Sequence, residues 1–321
     1  MRIAVLFSPD AGKKKIFNDI GSVLARKLKN HKVFTGQGGF GKLYIPEATE
    51  IAECAGDYRT KIAFMTLSLS AQKPDLFICV GGDGLGAYVA DTLITNGLSV
   101  PVMGIAGGTA NVGPIIATRL YDLDSFDPEN LIFSSRGAIH VRNGGRHTGY
   151  AFNDVVIGNT FLGTIDGETK NISVEELLVN NKKVPVTPSC NITADEFRIA
   201  KNGKDICFSI KKPAQIVVSP LEVDKFYGRA VTGVLCHSAY SPLKAAMGLF
   251  DNIIVGINAN IAEQFTKSEH ILFGPGDLIT VTGLSDEGHI IIDGNPYLRK
   301  DEVLTFEYKP GLIEVAEPFY T

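Results

Sequence analysis

The chain has 321 residues, 45% of them hydrophobic and 21% charged, with a formal net charge of −4. Such a chain reads as a soluble protein large enough for one or two full cores, and its slightly acidic balance gives no general basic surface for nucleic acid. It offers no apolar run of bilayer-spanning length, no signal-peptide core ahead of Ser8-Pro9-Asp10, and five scattered cysteines that fit neither structural zinc nor a disulfide framework, so a cytoplasmic setting is expected.

In chain order, Ile3 to Phe7 reads as a strand, followed by the loop Asp10-Ala11-Gly12-Lys13-Lys14-Lys15. That loop lacks the G-x-x-x-x-G-K-[ST] spacing of a P-loop, and it reads either as a solvated basic loop or as a point of attraction for phosphate. Ile16, Ile20, Val23, Leu24 and Leu28 fall at near-helical spacing. Val33-Phe34 is a short second strand ending in Gly36-Gln37-Gly38-Gly39-Phe40-Gly41, either a turn or a ligand wall. Residues 51–55 and 60–67 read as helical or mixed. Leu76 to Val80 is a buried strand that breaks into Gly81-Gly82-Asp83-Gly84-Leu85-Gly86, and Ala87 to Leu93 reads as a helix. Val100 to Ile105 is a further buried strand, and it breaks into Gly107-Gly108-Thr109-Ala110-Asn111. Repeated strand–helix units predict an α/β domain with a parallel, Rossmann-like sheet, whose strand C-terminal ends host the ligand.

Past residue 115 helical periodicity fades, and short β-rich segments take over at 138–141, 150–157, 194–199, 207–210, 214–218, 252–257, 278–281, 289–292 and 303–308. Turn signals separate them, among them Asn143-Gly144-Gly145, Asn202-Gly203 and Asp293-Gly294. This half reads as a mainly β, sandwich-like domain. The expected division is 1–115 for the α/β nucleotide-binding domain and 116–321 for the β-rich substrate domain, with the last residues returning to the first.

The strand–glycine–helix unit at 76–93 admits three readings. Glycines after a strand let backbone N–H groups approach an anion, with the helix N-terminus adding positive potential. A dinucleotide turn is one reading, since Gly82-x-Gly84-x-x-Ala87 fits the loose glycine pattern. Yet Asp83 would stand where pyrophosphate packs, and no acidic residue ends a strand about 20 residues on. A structural turn is the second reading, opposed by the recurrence of glycine, threonine and asparagine one strand later. The third is a phosphoryl-transfer site with Asp83 supplying chemistry rather than binding.

Gly81-Gly82-Asp83-Gly84 resembles the signature of the superfamily that joins NAD kinases with diacylglycerol and sphingosine-type lipid kinases. Gly107-Gly108-Thr109-Ala110-Asn111 is similar to its second element, a G-T-x-N loop best known among the lipid kinases. One departure is Leu85, where the family usually has threonine. Ala151-Phe152-Asn153-Asp154-Val155-Val156-Ile157 resembles the N-[DE] strand motif of NAD kinases, which holds the NAD substrate. The alternative for that pair is a strand end with Asn153 in a turn. Ser238-Ala239-Tyr240 matches the end of the family's T-A-Y segment, although Cys236-His237 replaces its glycine-rich lead-in. That Cys-His pair reads as ordinary packing. Asp293-Gly294 resembles a late D-G motif, with a hairpin turn as the alternative.

The resemblance implies an α/β domain joined to a mainly β domain, with the site in the cleft between them. It also implies phosphoryl transfer from ATP or polyphosphate, with Mg²⁺, to the 2′-hydroxyl of NAD. Asp83 would accept the hydroxyl proton, with Asp293 as the fallback base. Gly81, Gly82, Gly84, Gly107, Gly108, Thr109 and Asn111 would bind the donor. Asn153, Asp154, Ser238, Ala239 and Tyr240 would bind the acceptor. No protein metal-ligand set is singled out, the partners are small nucleotides, and a homo-oligomer is expected. The alternatives are a diacylglycerol- or sphingosine-type lipid kinase, favoured by the Gly108-Thr109-x-Asn111 loop, and a nucleotide-binding regulator that has lost catalysis, favoured by Leu85.

Overall fold

Apolar runs of the first third form strands, with helices between them: β1 (Arg2–Phe7), α1 (Lys15–Lys27), β2 (Lys32–Gly36), β3 (Thr49–Ile51), α2 (Tyr58–Ser70), β4 (Leu76–Gly81), α3 (Asp83–Thr95) and β5 (Val102–Ala106). The structure is a computed structural model and describes residues 1–9, 15–52, 54–108, 111–222, 227–235, 241–257 and 265–319. These five strands are parallel, in the order β5-β4-β1-β2-β3. Leu76, Ile78 and Val80 of β4 join Ile3, Val5 and Phe7 of β1 and Phe17, Ile20 and Leu24 of α1 in one core cluster. Phe77 and Cys79 point to the other face by the strand period of two and are equally buried. A parallel strand covered on both faces explains the unbroken apolar run.

Strand β1 has β2 on one side and β4 on the other, so the chain order reverses beside it. Such a switch point opens a crevice at the strand C-terminal ends, where Ser8 and the glycine quartet emerge. Helix α3 begins at Asp83 rather than at Ala87, with Gly82 as its N-cap. The quartet is therefore half loop and half helix, and Asp83 occupies the first helical turn.

The remaining elements are β6 (Leu131–Asn143), β7 (Arg146–Ala151), β8 (Val155–Gly158), β9 (Thr160–Ile165), β10 (Glu168–Ser173), α4 (Val174–Asn180), β11 (Thr193–Lys201), β12 (Lys204–Asp205), β13 (Gln215–Pro220), α5 (Tyr227–Thr232), β14 (Ala245–Phe250), β15 (Ser268–Phe273), β16 (Leu278–Leu284), β17 (His289–Ile292), β18 (Asn295–Tyr297) and β19 (Leu304–Pro318). Two compact units result, residues 1–136 with 311–321 and residues 137–310. In the second unit an antiparallel sheet runs β15-β14-β13-β8-β17-β18. Its Val155, Ile157, Ile216, Val218 and Met247 pack in one core with Ile139, Ile199, Val281 and Phe306 from β6, β11, β16 and β19. That is the expected sandwich-like arrangement.

Three expected strands differ. The 150–157 segment is two strands, β7 and β8, with Phe152, Asn153 and Asp154 in the break. The apolar 252–257 run is not a strand, because side chains of Gln215 and Asn171 bind its backbone. Gln215 Oε1 accepts from the amides of Ile254 and Val255 at 2.9 and 2.7 Å, and Asn171 Oδ1 accepts from Ile257 at 2.8 Å. Segment 207–210 is likewise not a strand, since the Glu269 carboxylate accepts the Ser209 and Ile210 amides.

Candidate functional site

In the first unit, the Asp83 carboxylate is asymmetric. Its Oδ2 accepts the backbone amides of Val112 and Gly113 at 2.8 and 3.1 Å. Its Oδ1 is closed to solvent and has no hydrogen-bond partner among the described residues. Burial pushes the carboxyl up to about 6, while the two amide bonds pull the other way. The helix N-terminus around it favours the ionised form. The group is therefore held by one oxygen, with a second oxygen able to take a proton near neutral pH.

The two glycine loops are stitched together. The Gly107 and Gly108 amides both donate to the Gly81 carbonyl, at 2.8 and 3.1 Å. A Cβ on Gly108 would fall 2.7 Å from Gly82 Cα and 2.8 Å from Asn111 Oδ1, so only glycine lets the backbones approach this closely. Those two amides are thus engaged with the Gly81 carbonyl within the protein. Asn111 donates from Nδ2 to the Gly108 carbonyl at 3.2 Å, and its Oδ1 is buried without a partner among the described residues. A buried acceptor without a donor costs about 1–3 kcal/mol, and a protein that keeps two in one loop pair has a use for them.

A cavity of about 560 Å³ lies in the same unit, lined by Pro9, Gln37, Gly38, Gly39, Tyr58 and Lys61 among others. Ser8 connects it to the glycine quartet. The Ser8 amide donates to the Val80 carbonyl at 2.9 Å, and its hydroxyl shares a 2.8 Å hydrogen bond with the Tyr58 hydroxyl. The expected ligand wall at residues 36–41 does line this cavity. Ser8, Tyr58 and Lys61 escaped the sequence reading, because they come from different strand and helix ends and form no local pattern.

In the second unit, Asn153, Asp154 and Asp293 come together. Asp293 Oδ2 accepts from the Phe152 amide at 2.8 Å, and Oδ1 accepts from the Asn153 and Asp154 amides at 2.9 Å each. Asn153 Nδ2 donates to Asp154 Oδ2 at 2.6 Å. All three side chains are buried. Burial and the neighbouring Asp154 charge hold the Asp293 carboxyl well above the usual range. On β13, Val218 pairs with Val155, so the register brings the next residue, Ser219, beside Asp154. Ser219 is fully buried and its hydroxyl has no partner among the described residues. Only its place at the end of a buried strand hinted at it in the sequence.

No family model matches the sequence. An uncharacterized protein of Archaeoglobus fulgidus is 24% identical over 325 residues, covering 99% of each chain. Among solved structures, yeast NADH kinase complexed with NADH aligns over 100% of this chain and 84% of its own, with a TM-score of 0.55 at 11% identity. A diacylglycerol kinase from Bacillus anthracis str. Sterne aligns over 98% of this chain and 96% of its own, with a TM-score of 0.50 at 13% identity. The chain shares its fold with these two kinases. At these identities the likeness fixes the fold, and the chemistry rests on the residues themselves.

Leu85, which stands where the resemblance leads one to expect threonine, is buried, and a Cβ on Gly81 would fall 2.9 Å from its Cδ2. A hydroxyl at that position would replace core packing. Thr109, Ser238, Ala239 and Tyr240 lie outside the described residues, as do Cys236 and His237. Among the described residues no cluster of three or more His, Cys, Asp or Glu could hold a metal. Magnesium bound with a nucleotide takes one or two protein oxygens and fills its remaining positions with phosphates and water. Asn111 Oδ1, buried and without a partner among the described residues, is an oxygen of that kind, so it fits a nucleotide-borne Mg²⁺. Among the described residues no helix is long and apolar enough to cross a membrane.

Proposed function

We propose that the chain is a phosphotransferase of the NAD kinase type, moving a phosphoryl group from ATP or polyphosphate to the 2′-hydroxyl of NAD. The observation that carries this reading is the Asp83 carboxylate, with one oxygen fixed by two amides and the other buried, unpartnered and basic near pH 6. Asp83 Oδ1 takes the proton of the acceptor hydroxyl as its oxygen attacks the terminal phosphorus, and the donor leaves as the diphosphate or shortened polyphosphate. Gly82, where a Cβ would meet nothing closer than 3.6 Å, would border the donor phosphates together with its neighbours Gly81 and Gly84. The cavity bounded by Tyr58 and Lys61 accommodates the rest of the donor. Asn111 Oδ1 is the group that would face Mg²⁺, which would neutralise phosphate charge when bound. Asn153 and Asp154 orient the ribose or nicotinamide end of the acceptor.

A lipid acceptor of the diacylglycerol or sphingosine class is the second reading, and the seating of Asn111 against Gly108 and Gly82 favours it. One experiment decides. The protein is incubated with Mg-ATP, or with polyphosphate, and with NAD, diacylglycerol or sphingosine. NADP formation is the expected result, a phosphorylated lipid supports the second reading, and binding of ATP with no product identifies a regulator without catalysis.

A further inference from the structure

We infer that Asp293 is a positioning residue for Asn153 and Asp154, and that its own carboxylate takes no part in proton transfer. The inference rests on the acceptor role proposed for those two residues.

Asp293 and Gly294 have φ of 47° and 80°, the left-handed pair that turns β17 tightly into β18. This turn aims the Asp293 side chain back at the break between β7 and β8. There its carboxylate accepts three consecutive amides, those of Phe152, Asn153 and Asp154. The Asp293 amide donates in return to the Asp154 carbonyl at 3.0 Å. Three successive N–H groups converging on one anion form a concave nest, a backbone shape that depends on the charge it encloses. Three of the four lone-pair sites of the carboxylate are taken, both oxygens accept an amide and the residue is buried, so neither oxygen is left open for a substrate hydroxyl. Among the described residues Asp83 has one oxygen without a partner and Asp293 has none. What the nest controls is the direction of its own residues. Asn153 and Asp154 leave a break in the sheet with their side chains linked to each other, where a continuous strand would send them to opposite faces.

The test uses the full chain and two substitutions. Asp293→Asn keeps the shape but offers one acceptor oxygen in place of two and turns an NH2 towards an amide. We expect KM for NAD to rise about tenfold, with KM for ATP and kcat within about threefold of wild type. Gly294→Ala strains the same turn, at φ 80°, in open space and with the carboxylate intact. It should lower Tm and leave the ratio of the two KM values unchanged. A loss of about a thousandfold in kcat with both KM values kept would make Asp293 the proton acceptor and overturn the inference. Equal KM ratios in the two variants would reduce Asp293 to a fold element and overturn it as well. Amide exchange on the wild type covers the case in which Asp293→Asn fails to fold. The Phe152, Asn153 and Asp154 amides should be as protected as those of β8, and rapid exchange there refutes the nest. If the wild type makes no NADP, the functional reading falls, while exchange still decides whether the nest exists.

Discussion

Asp83 in the first unit and Asp293 in the second begin from similar local plans. Each follows a buried strand, stands beside a glycine and accepts backbone amides from a distant segment. They part in how many lone pairs the protein occupies. Asp293 gives both oxygens to three amides, and Asp83 gives one oxygen to two and keeps the other without a partner among the described residues. Burial raises both carboxyls, so the elevation alone does not tell an acid–base group from an anchor. The unoccupied oxygen does.

The largest effect that could break this contrast comes from Asp83→Asn. The amide oxygen can still accept the Val112 and Gly113 amides, so the loop stays docked, while the proton acceptor is gone. Loss of a general base predicts a fall in kcat of about 10²–10⁴-fold with little change in KM, measured by NADP formation. Stability should move the other way. The folded-state pKa of about 6 lies above the ordinary carboxyl value of 3.8, so the ionised group weakens the fold as pH rises through that window. Two pKa units correspond to about 3 kcal/mol, and denaturation at pH 8 should find Asp83→Asn more stable than wild type by up to that amount. At pH 3 the two should melt alike.

The same titration predicts the pH profile of the wild type. Activity requires deprotonated Asp83, so kcat/KM should climb with pH up to about 6 and then level. A rate with no limb in that region would remove Asp83 from proton transfer and erase the contrast with Asp293.

Gly108→Ala probes the stitched loops without touching a charge. The added Cβ would press on Gly82 Cα at 2.7 Å and on Asn111 Oδ1 at 2.8 Å, and Gly82 is backbone that cannot swing away. Displacing the loop by about 1 Å should cost about a hundredfold in kcat and about 1–3 kcal/mol in stability. Normal activity in this variant would mean that the loop pair does not shape the site.

The strand–glycine–helix plan around Asp83 was legible in the sequence, because a parallel strand buried on both faces leaves an unbroken apolar run and its glycines mark the turn. The two-domain architecture was legible too, in the shift from helical spacing to short β segments. What was misread shares one physical cause, a side chain far along the chain binding backbone amides that would otherwise enter a ladder. Asp293 does this to the Asn153-Asp154 pair, Gln215 and Asn171 to Ile254, Val255 and Ile257, and Glu269 to Ser209 and Ile210. Local periodicity carries no trace of such partners. Ser8, Tyr58 and Ser219 were missed for a related reason, since each matters only through what the fold sets beside it.

Asp57 supplies the smallest and sharpest control. It N-caps α2 through a 2.8 Å bond from the Thr60 amide to its Oδ1, the same kind of bond that holds Asp83, but it is exposed. Here the hydrogen bonds from Thr60 outweigh the small desolvation, and the carboxyl is lowered below its ordinary value. The pH dependence is therefore opposite in sign to that of Asp83. Asp57 supports the fold fully above its unfolded pKa, and that support disappears as pH falls through its folded value. Asp57→Ala should cost about 0.5–2 kcal/mol at pH 7, the usual worth of an N-cap, and leave kcat and both KM values unchanged. Denaturation of this variant from pH 7 down to pH 3 should show its gap from wild type narrowing. Over the same range, the advantage of Asp83→Asn should also vanish, from the other side of zero. If both gaps kept one sign, burial would not be what separates a carboxylate that caps from one that reacts.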